Sequence, residues 1–261
     1  MQAGAIPQDQ PMRMLRLTLS SLAGILLDFA LPPRCIACGA IVADAGSLCA
    51  DCWGQARFLT GAGCGQCGRP LPDNALVADQ TYYCAPCLAS PPAFDSVRAV
   101  MAYGDIARAV ALQLKYGRQI AHARTISRLM ARLVPISSSD KPAMLIPVPL
   151  HRWRLWRRGF NQSALVADHL ARLSGLRHDR MALRRIRQTP SLGHLNRQQR
   201  HKAVTGAFRV AGDVQGRNII LIDDVFTTGS TAQACALALK KAGANRVDVI
   251  CWARVCEDTG N

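Results

Sequence analysis

Residues 218–231 read NIILIDDVFTTGST, in which two adjacent aspartates follow an apolar run and precede a turn rich in hydroxyl groups. The run NIILI has the continuous apolar character of a strand that is buried on both faces of a parallel sheet. Asp223 and Asp224 therefore stand at the carboxyl end of a buried strand, which is where open α/β sheets bind their ligands. We expect residues 225–229 to form the turn into the next helix.

The segment after this turn, STAQACALALKKAG at residues 230–243, predicts a helix. Ser230 and Thr231 suit its start, two lysines lie near its end, and Gly243 suits the position that follows it. The start of such a helix directs unpaired backbone N–H groups and the positive end of the helix dipole at the turn, so a phosphate is the natural occupant. Gly229 would let the backbone approach the anion closely.

The two aspartates need a different partner, because carboxylates beside a phosphate would repel it. An ionised carboxylate only accepts hydrogen bonds, so the hydroxyl groups of a sugar are suitable ligands. A ribose 5-phosphate satisfies both halves of the motif. The aspartate pair alone also fits a solvated turn, and the residues TTGST alone also fit an ordinary helix cap. Together, after a buried strand, they favour a ligand site.

Beyond residue 95 the chain alternates between strand and helix patterns. The alternation predicts an α/β fold with a mostly parallel sheet and helices on both faces. A proline-marked boundary, ASPPAFD at residues 89–95, separates this region from the cysteine-rich one before it. The predicted strands are 96–103, 143–149, 218–223 and 246–255, and the predicted helices are 105–116, 120–133, 161–173 and 230–242.

Eight cysteines before residue 90 form four C-x-x-C pairs. Two such pairs complete a closed tetrahedral site of four thiolates, so we predict two structural Zn²⁺ ions. Separations of ten and then sixteen residues favour sequential pairing, although pairing of the first pair with the third is left open. Disulfides would need an oxidising compartment, which nothing here indicates. The predicted ligands are Cys35, Cys38, Cys49, Cys52, Cys64, Cys67, Cys84 and Cys87.

The remaining three cysteines, Cys235, Cys251 and Cys256, are predicted to be buried thiols rather than metal ligands. Glycines that follow Cys38 and Cys67 suit the tight turn of a zinc knuckle, where positive φ is easily reached.

The formal net charge of +15 is unevenly distributed. Residues 1–90 carry a net charge of −1, whereas residues 151–209 contain 14 basic and two acidic side chains. Such a surface attracts phosphates and nucleic acid. The arginine-rich composition of a GC-rich genome accounts for the charge equally well.

The segment HRWRLWRRGFN, residues 151–161, interleaves arginines with aromatic residues. Proteins that bind single-stranded nucleic acid typically use arginines to contact phosphates and tryptophans to stack on bases. The alternative is that Trp153 and Trp156 pack into the core while one or two arginines bind pyrophosphate. The predicted nucleic-acid contacts are Arg154, Trp156, Arg157 and Arg158.

Near the amino terminus, residues 12–31 predict an amphipathic helix, because apolar residues from Leu15 to Phe29 recur on one helical face. Asp28 interrupts the apolar segment and no cleavage pattern follows it, which argues against a secretory signal. No run of about 18 apolar residues exists, so we expect no membrane span and a cytoplasmic protein.

The sequence also resembles known families. IILIDDVFTTGST, residues 219–231, resembles the phosphoribosyl pyrophosphate (PRPP) signature of type I phosphoribosyltransferases. The chain as a whole resembles the competence protein F (ComF) family through its cysteine pairs, LKYG at 114–117 and IPVPLHRWRLWRRGFNQS at 146–163. The likeness covers nearly all of residues 12–256. It implies an amphipathic helix at 12–31, a double zinc ribbon at 32–90 and a Rossmann-like, type I phosphoribosyltransferase-like domain at 94–256.

The resemblance also implies roles for individual residues. Asp223 and Asp224 would bind the ribose 2- and 3-hydroxyls of PRPP, which binds with Mg²⁺, and residues 187–208 would correspond to a mobile segment that closes over the site. The implied 5-phosphate ligands are Thr227, Thr228, Gly229, Ser230 and Thr231, and the implied pyrophosphate loop is Leu150, His151 and Arg152.

These implications predict a PRPP-binding protein of phosphoribosyltransferase type that acts in DNA uptake or DNA utilisation and binds single-stranded DNA. Several active transferases have an acidic residue where this chain has Thr227, so whether transfer occurs, and to which acceptor, stays open. One alternative is a nucleotide-salvage transferase without a DNA role. Another is a non-catalytic zinc-ribbon adaptor with a regulatory PRPP site, whose partner would be a competence helicase or another DNA-uptake protein.

Overall fold

The computed structural model describes residues 32–71, 81–117, 119–135, 142–188, 199 and 204–256. The helix predicted at 12–31 lies outside the described residues, as does most of the segment predicted to close over the site, residues 189–198 and 200–203. Within the described ranges, no helix combines the length and apolar character that a membrane crossing requires.

The elements predicted beyond residue 95 are all present, with ends shifted by at most three residues. The helices are α1 (Ala50–Gln55), α2 (Ala85–Ala89), α3 (Asp105–Tyr116), α4 (His122–Ala131), α5 (Arg152–Arg158), α6 (Gln162–Ser174) and α7 (Ser230–Lys241). The strands are β1 (Ser96–Ala102), β2 (Met144–Pro147), β3 (Leu183–Arg185), β4 (Phe208–Val210), β5 (Asn218–Phe226) and β6 (Arg246–Arg254).

Four of these strands form one parallel sheet in the order β1-β6-β5-β2. Side chains of alternate residues face opposite sides of a strand. Ile220 and Trp252 accordingly pack with α3, α4 and α6, whereas Leu221 and Cys251 pack with α7 on the other face. The predicted fold class, a mostly parallel sheet covered on both faces and preceded by a cysteine-rich module, is confirmed.

The cysteine-rich module packs against the edge of this sheet. Leu59 N–H donates to the Val100 carbonyl (2.9 Å) and Ala102 N–H donates to the Arg57 carbonyl (2.8 Å), so residues 57–59 run antiparallel along β1. Covering an edge strand removes a row of unpaired backbone groups. The ribbons are therefore held to the sheet by backbone hydrogen bonds as well as by side chains.

Beyond residue 95, two features were not predicted from the sequence, and neither were the short ribbon helices α1 and α2. One of the two features is α5, and the other is the antiparallel pair of β3 and β4, whose three-residue strands are too short to show a period. A third observation is a correction: β5 extends to Phe226, so the turn begins at Thr227 and not at residue 225. The reason is that β6 is equally long and pairs with β5 as far as Phe226 and Arg254.

Candidate functional site

Asp223 and Asp224 lie on a part of β5 that has a neighbour on one side only. Pro147, the last residue of β2, pairs with Ile222, and Val148 N–H still donates to the Ile222 carbonyl (2.9 Å). Beyond that point, within the described part of the chain, only β6 pairs with β5. The two carboxylates therefore stand where the sheet opens at the carboxyl end of β2, with Asp224 buried and Asp223 half-buried.

Three side chains from two helices contact this acid pair. Lys115 Nζ, near the end of α3, lies 2.7 Å from Asp224 Oδ2. At the start of α6, Gln162 Nε2 donates to Asp224 Oδ2 (3.3 Å) and Ser163 Oγ donates to Asp223 Oδ1 (3.4 Å). Roles for these three residues were not predicted. Their segments, LKYG and GFNQS, were noticeable in the sequence, but only the tertiary structure brings them to the aspartates.

The two aspartates have opposite pKa shifts. Burial, and then the charge of Asp224, raise the pKa of Asp223 to about 7. Burial alone would also raise the pKa of Asp224, but its ion pair and hydrogen bond with Lys115 outweigh burial, and its pKa is lowered. Burial likewise opposes the charge of Lys115, but attraction to Asp224 outweighs burial and raises the pKa of Lys115. Near neutral pH the site therefore holds one fixed carboxylate and one that can gain or lose a proton.

Arg158, at the end of α5, is linked to the same network. It donates a hydrogen bond to Gln162 Oε1, and its guanidinium lies 5.1 Å from the centre of the Tyr116 ring. Asn161 fixes the turn between α5 and α6, because it accepts a hydrogen bond from Ser163 N–H (3.0 Å) and donates one to the Val148 carbonyl (3.1 Å). Arg158, one of the predicted nucleic-acid contacts, is thus connected to Asp224 through a single side chain, that of Gln162.

The turn that follows the acid pair has the geometry of an anion-binding loop. Gly229 caps α7 with a φ of +77°, and a Cβ at this position would lie 2.7 Å from Phe226 Cζ. Thr228 Oγ1 and Ser230 Oγ are 2.9 Å apart at the start of the helix. Gly229 has no side chain to occupy the first amides of α7, and the Ser230 N–H makes only a long contact with Thr228 Oγ1 (3.5 Å), which an anion at the start of the helix can replace.

The predicted pyrophosphate loop, Leu150–Arg152, leads from β2 into α5, so it lies at the carboxyl end of the strand beside β5. His151 caps α5 and is buried, and within the described ranges its Nδ1 has no hydrogen-bond partner. Burial and then the nearby arginines, the first of them Arg152, lower the pKa of His151. His122, the first residue of α4, is also buried.

The tryptophans of α5 are exposed. Trp153 is 54% exposed and Trp156 is 81% exposed, and their ring centres lie 6.5 Å apart in an edge-to-face arrangement. No residue of α5 is buried. The alternative in which these two rings pack into the core is therefore wrong.

The eight predicted zinc ligands form two clusters, Cys35–Cys52 and Cys64–Cys87, in each of which four sulfur atoms lie within 4.8 Å of one another. The Sγ atoms of Cys38 and Cys49 are 3.7 Å apart, and those of Cys67 and Cys84 are 3.6 Å apart. A tetrahedral ion with Zn–S bonds of about 2.3 Å requires an edge of about 3.8 Å. Both clusters fit structural Zn²⁺, the pairing is sequential, and the interleaved alternative is wrong.

Backbone N–H groups also favour thiolates in these clusters. Cys49 N–H donates to Cys35 Sγ and Cys84 N–H donates to Cys64 Sγ, each at 3.3 Å. Burial raises the pKa of Cys35, but hydrogen bonds from the Cys38, Cys49 and Ala37 amides outweigh it and lower the value to about 6. Outside the clusters, Cys235 and Cys251 are buried as predicted, whereas Cys256 is only half-buried.

Comparison with known proteins agrees with this arrangement. A family model described as a double zinc ribbon domain matches residues 26–90. DNA utilization protein YhgH from Salmonella typhimurium is 34% identical over 195 residues, which is 73% of this chain and 83% of that protein. Competence protein F from Haemophilus influenzae is 29% identical over 224 residues, which is 83% of this chain and 94% of that protein. The chain belongs to the competence protein F family.

Solved structures similar to this ComF family member include phosphoribosyltransferases. Glutamine PRPP amidotransferase from Bacillus subtilis is 16% identical, with a TM-score of 0.37, over 54% of this chain and 30% of that chain. A hypoxanthine phosphoribosyltransferase from Staphylococcus aureus is 15% identical, with a TM-score of 0.34, over 51% of this chain and 62% of that chain.

Proposed function

We propose that this ComF family protein binds PRPP with Mg²⁺ at the carboxyl ends of β2 and β5, and that it acts as a phosphoribosyltransferase-type protein in DNA utilisation or DNA uptake. The observation that carries the proposal is the single strand-turn-helix unit that joins the acid pair to the glycine-capped start of α7. The names of its relatives, a DNA utilization protein and a competence protein, support the DNA-related role.

Each part of PRPP has a chemically suited partner in this proposal. Asp223 and Asp224 accept hydrogen bonds from the ribose hydroxyls, while Thr227–Thr231 donate to the 5-phosphate. The turn Leu150–Arg152 holds the pyrophosphate. Mg²⁺ prefers carboxylate and phosphate oxygens, so PRPP and the aspartates would hold it together, and it would neutralise charge on the pyrophosphate.

Transfer to an acceptor is a separate part of the proposal. When pyrophosphate leaves the ribose, negative charge grows on it, and Arg152 at the pyrophosphate turn is placed to stabilise that charge. Thr227 supplies no carboxylate for proton transfer, but an acceptor that is already neutral and carries a lone pair needs little help from a base. The acceptor therefore has to be found by experiment.

The first prediction concerns the acid pair. We expect Asp223→Asn combined with Asp224→Asn to weaken PRPP binding more than about 100-fold, because two hydrogen bonds to charged acceptors contribute ~1.5 to 3 kcal/mol each. Calorimetric titration with PRPP and Mg²⁺ measures this, and far-ultraviolet circular dichroism checks the fold. Asp51→Asn, an exposed aspartate on α1, is the control and should bind normally. Undiminished PRPP binding by the double variant would contradict the ribose assignment.

A screen for pyrophosphate release separates this proposal from its alternatives. Release only with a particular purine, pyrimidine or amine would select a nucleotide-salvage transferase. Tight PRPP binding without turnover, together with a protein partner that is lost when the ribbons are deleted, would select a regulatory adaptor. In either case the metal-dependent binding of PRPP itself is retained.

The exposure of α5 favours a second function, the binding of single-stranded DNA. Trp156 is the more exposed of the two tryptophan rings, whereas the Arg152 guanidinium lies 5.6 Å from the centre of the Trp153 ring; the arginines on the same short helix can reach phosphates. The surrounding residues 151–209 are strongly basic, which supplies long-range attraction for a polyanion. We propose that α5 stacks on bases while its arginines bind the strand's backbone.

The second prediction tests this helix. Trp156→Ala should weaken oligonucleotide binding about tenfold, because a stacked base contributes ~1 to 3 kcal/mol. Arg157→Gln should lower the slope of log affinity against log salt by about 0.7. Fluorescence anisotropy of a labelled oligonucleotide between 50 and 200 mM salt, an interval over which the affinity changes steeply, measures both. Trp53→Ala, which removes a 52% exposed tryptophan from the first ribbon, is the matched control. A flat salt response would count against DNA binding.

A further inference from the structure

A cleft of about 740 Å³ separates the second zinc ribbon, Cys64–Cys87, from the start of α7. One wall is formed by the ribbon, and the opposite wall is formed by Thr227–Ser230, the loop proposed above to bind a phosphate. Phe226 and Arg254 line the cleft between the two walls. The volume is within the range of about 300 to 1,000 Å³ that is typical of small-molecule sites.

Specific contacts hold the ribbon wall in place. Gln66 Nε2 donates to the carbonyls of Pro92 and Phe94 (3.2 and 3.3 Å), and Arg254 donates to the Cys67 carbonyl. Gly68 approaches β1 so closely that a Cβ there would lie 2.3 Å from the Val97 carbonyl oxygen. These contacts fix the position of the second ribbon relative to the sheet, and so they set the width of the cleft.

Arg254 lines the cleft with an almost fully buried guanidinium. The residue is 4% exposed, and its guanidinium lies 5.5 Å from the centre of the Phe226 ring. Among the described residues, its Nε has no hydrogen-bond partner. A buried donor without a partner is costly unless a ligand or water satisfies it, so this group points to a ligand.

The two walls differ in the chemistry that they accept. The start of α7 favours an anion. The ribbon wall contains Cys67, Cys84 and Cys87, whose thiolates accept N–H donors, and Arg69, whose planar guanidinium can stack on an aromatic ring and donate hydrogen bonds to it. Apolar rings and prolines lie between the walls. The occupant therefore has an anionic group at α7 and a planar, uncharged, N–H-bearing group at the ribbon, which is the chemistry of a nucleotide.

We propose that the second zinc ribbon forms the nucleobase-binding wall of this cleft, and that the cleft takes a nucleoside monophosphate or the terminal nucleotide of a single strand. The inference rests on the proposed function, because it uses the same phosphate-binding loop. It gives the ribbon a role in ligand binding in addition to its structural role.

Calorimetric titration of the zinc-loaded full chain tests this with ribose 5-phosphate and with AMP, GMP, CMP and UMP. At least one nucleotide should bind about tenfold more tightly than ribose 5-phosphate, which has the phosphate but no base. Arg69→Gln, on the ribbon wall, should remove that preference and leave PRPP binding unchanged. Arg34→Gln makes the same change on the first ribbon, away from the cleft, and should preserve the preference.

A second variant tests the phosphate end. Gln233 lines the cleft on α7, and its Oε1 accepts a hydrogen bond from Ala93 N–H (2.7 Å). Gln233→Glu keeps that acceptor but adds a negative charge, so ribose 5-phosphate and nucleotides should both bind at least about tenfold more weakly. Unchanged binding of ribose 5-phosphate to this variant would overturn the proposed orientation.

The outcomes separate this inference from the proposed function. Nucleotides that bind no better than ribose 5-phosphate, or an equal effect of Arg34→Gln, would overturn the nucleobase wall. If PRPP does not bind but a nucleotide preference that depends on Arg69 remains, the PRPP proposal fails and the nucleobase wall stands. Competition by an oligonucleotide with a 5′-phosphate, but not with a 5′-hydroxyl, would support the wall and assign it to strand ends. Absence of competition by either, with the nucleotide preference intact, would support it and assign the wall to free nucleotides.

Discussion

Asp223 and Asp224 are adjacent and chemically identical, yet their surroundings give them different protonation states. Lys115 lies within ion-pair distance of Asp224, whereas Asp223 accepts hydrogen bonds from the Ser163 hydroxyl and the Asp224 N–H and is influenced by Lys115 from farther away. Two buried carboxylates this close cannot both ionise easily, so one of them retains a proton to higher pH. The ion pair with Lys115 keeps Asp224 ionised, so Asp223 is the carboxylate that retains the proton.

The third prediction follows from this difference. The folded protein retains the proton of Asp223 up to about pH 7, whereas an unperturbed aspartate loses it near 3.8. The folded state therefore binds more protons in that window, so the contribution of Asp223 to stability falls as pH rises and levels off above about 7. Thermal denaturation between pH 5 and 8 should show Asp223→Asn gaining in melting temperature relative to the wild type as pH rises.

Asp224→Asn is the contrasting variant. The lowered pKa of Asp224 means that its stabilising contribution is fully present above 3.8 and is lost only as pH falls through the lower folded-state pKa. This variant should be less stable than the wild type throughout pH 5 to 8. Because the charge of Asp224 also helps to raise the pKa of Asp223, the difference should shrink as pH rises. A wild-type pH dependence that persists unchanged in Asp223→Asn would show that another group titrates.

At the scale of elements, the unit of β5, its turn and α7 carries both halves of the proposed PRPP site. Gly229 is required there for two reasons: its φ of +77° and the approach of the Phe226 ring. The ring in turn packs edge-on against Phe94, 5.8 Å away, and so belongs to the core. The shape of the proposed phosphate loop is thus set by the packing beneath it.

The fourth prediction separates these two reasons. Gly175→Ala changes another glycine, with a φ of +70° and no neighbour that a Cβ would meet within 4 Å, so it should cost about 1 to 2 kcal/mol of backbone strain. Gly229→Ala should cost more, because the Phe226 ring must also move, and it alone should weaken PRPP binding. Urea denaturation and calorimetry measure the two effects. Equal destabilisation by the two substitutions would mean that the Phe226 ring moves aside without an energetic cost.

At the scale of the whole molecule, the first ribbon shares an apolar core cluster with one face of the sheet. Cys35, Ile36 and Cys52 pack in the same apolar cluster as α3 and α4, and residues 57–59 cover the edge of β1. Domains that share buried surface unfold together more readily than linked independent units. The boundaries predicted at residues 90 and 94 stay a prediction.

The fifth prediction concerns zinc. Metal analysis should find two zinc ions per chain, and Cys38→Ser, which replaces an exposed ligand, should reduce the count to one. Cys256→Ser changes a cysteine outside both clusters and should keep two. Because the first ribbon is part of the common core, a chelator should lower the melting temperature of the whole chain in calorimetry. A sheet that melts unchanged after zinc removal would contradict this coupling.

Much of the fold could be predicted because it depends on local patterns. The buried run 218–222 and the caps of α7 required only neighbouring residues, and the four C-x-x-C pairs indicated metal by spacing alone. The unpredicted parts depend on distant residues. β5 is longer than its apolar run because β6 continues beside it, and α5 lacks the buried stripe that would have revealed it.

The sequence by itself determined the chemistry of this protein: paired acids before a glycine-capped helix, eight thiolates in pairs, and arginines interleaved with tryptophans. Only the tertiary structure decided how these groups combine. It places Lys115 on Asp224, links Arg158 to the acid pair through Gln162, exposes both tryptophans of α5, and sets the second ribbon across a cleft from the phosphate loop. The physical reason is that spacing along the chain sets local geometry, whereas burial and charge pairing depend on contacts between segments far apart in sequence.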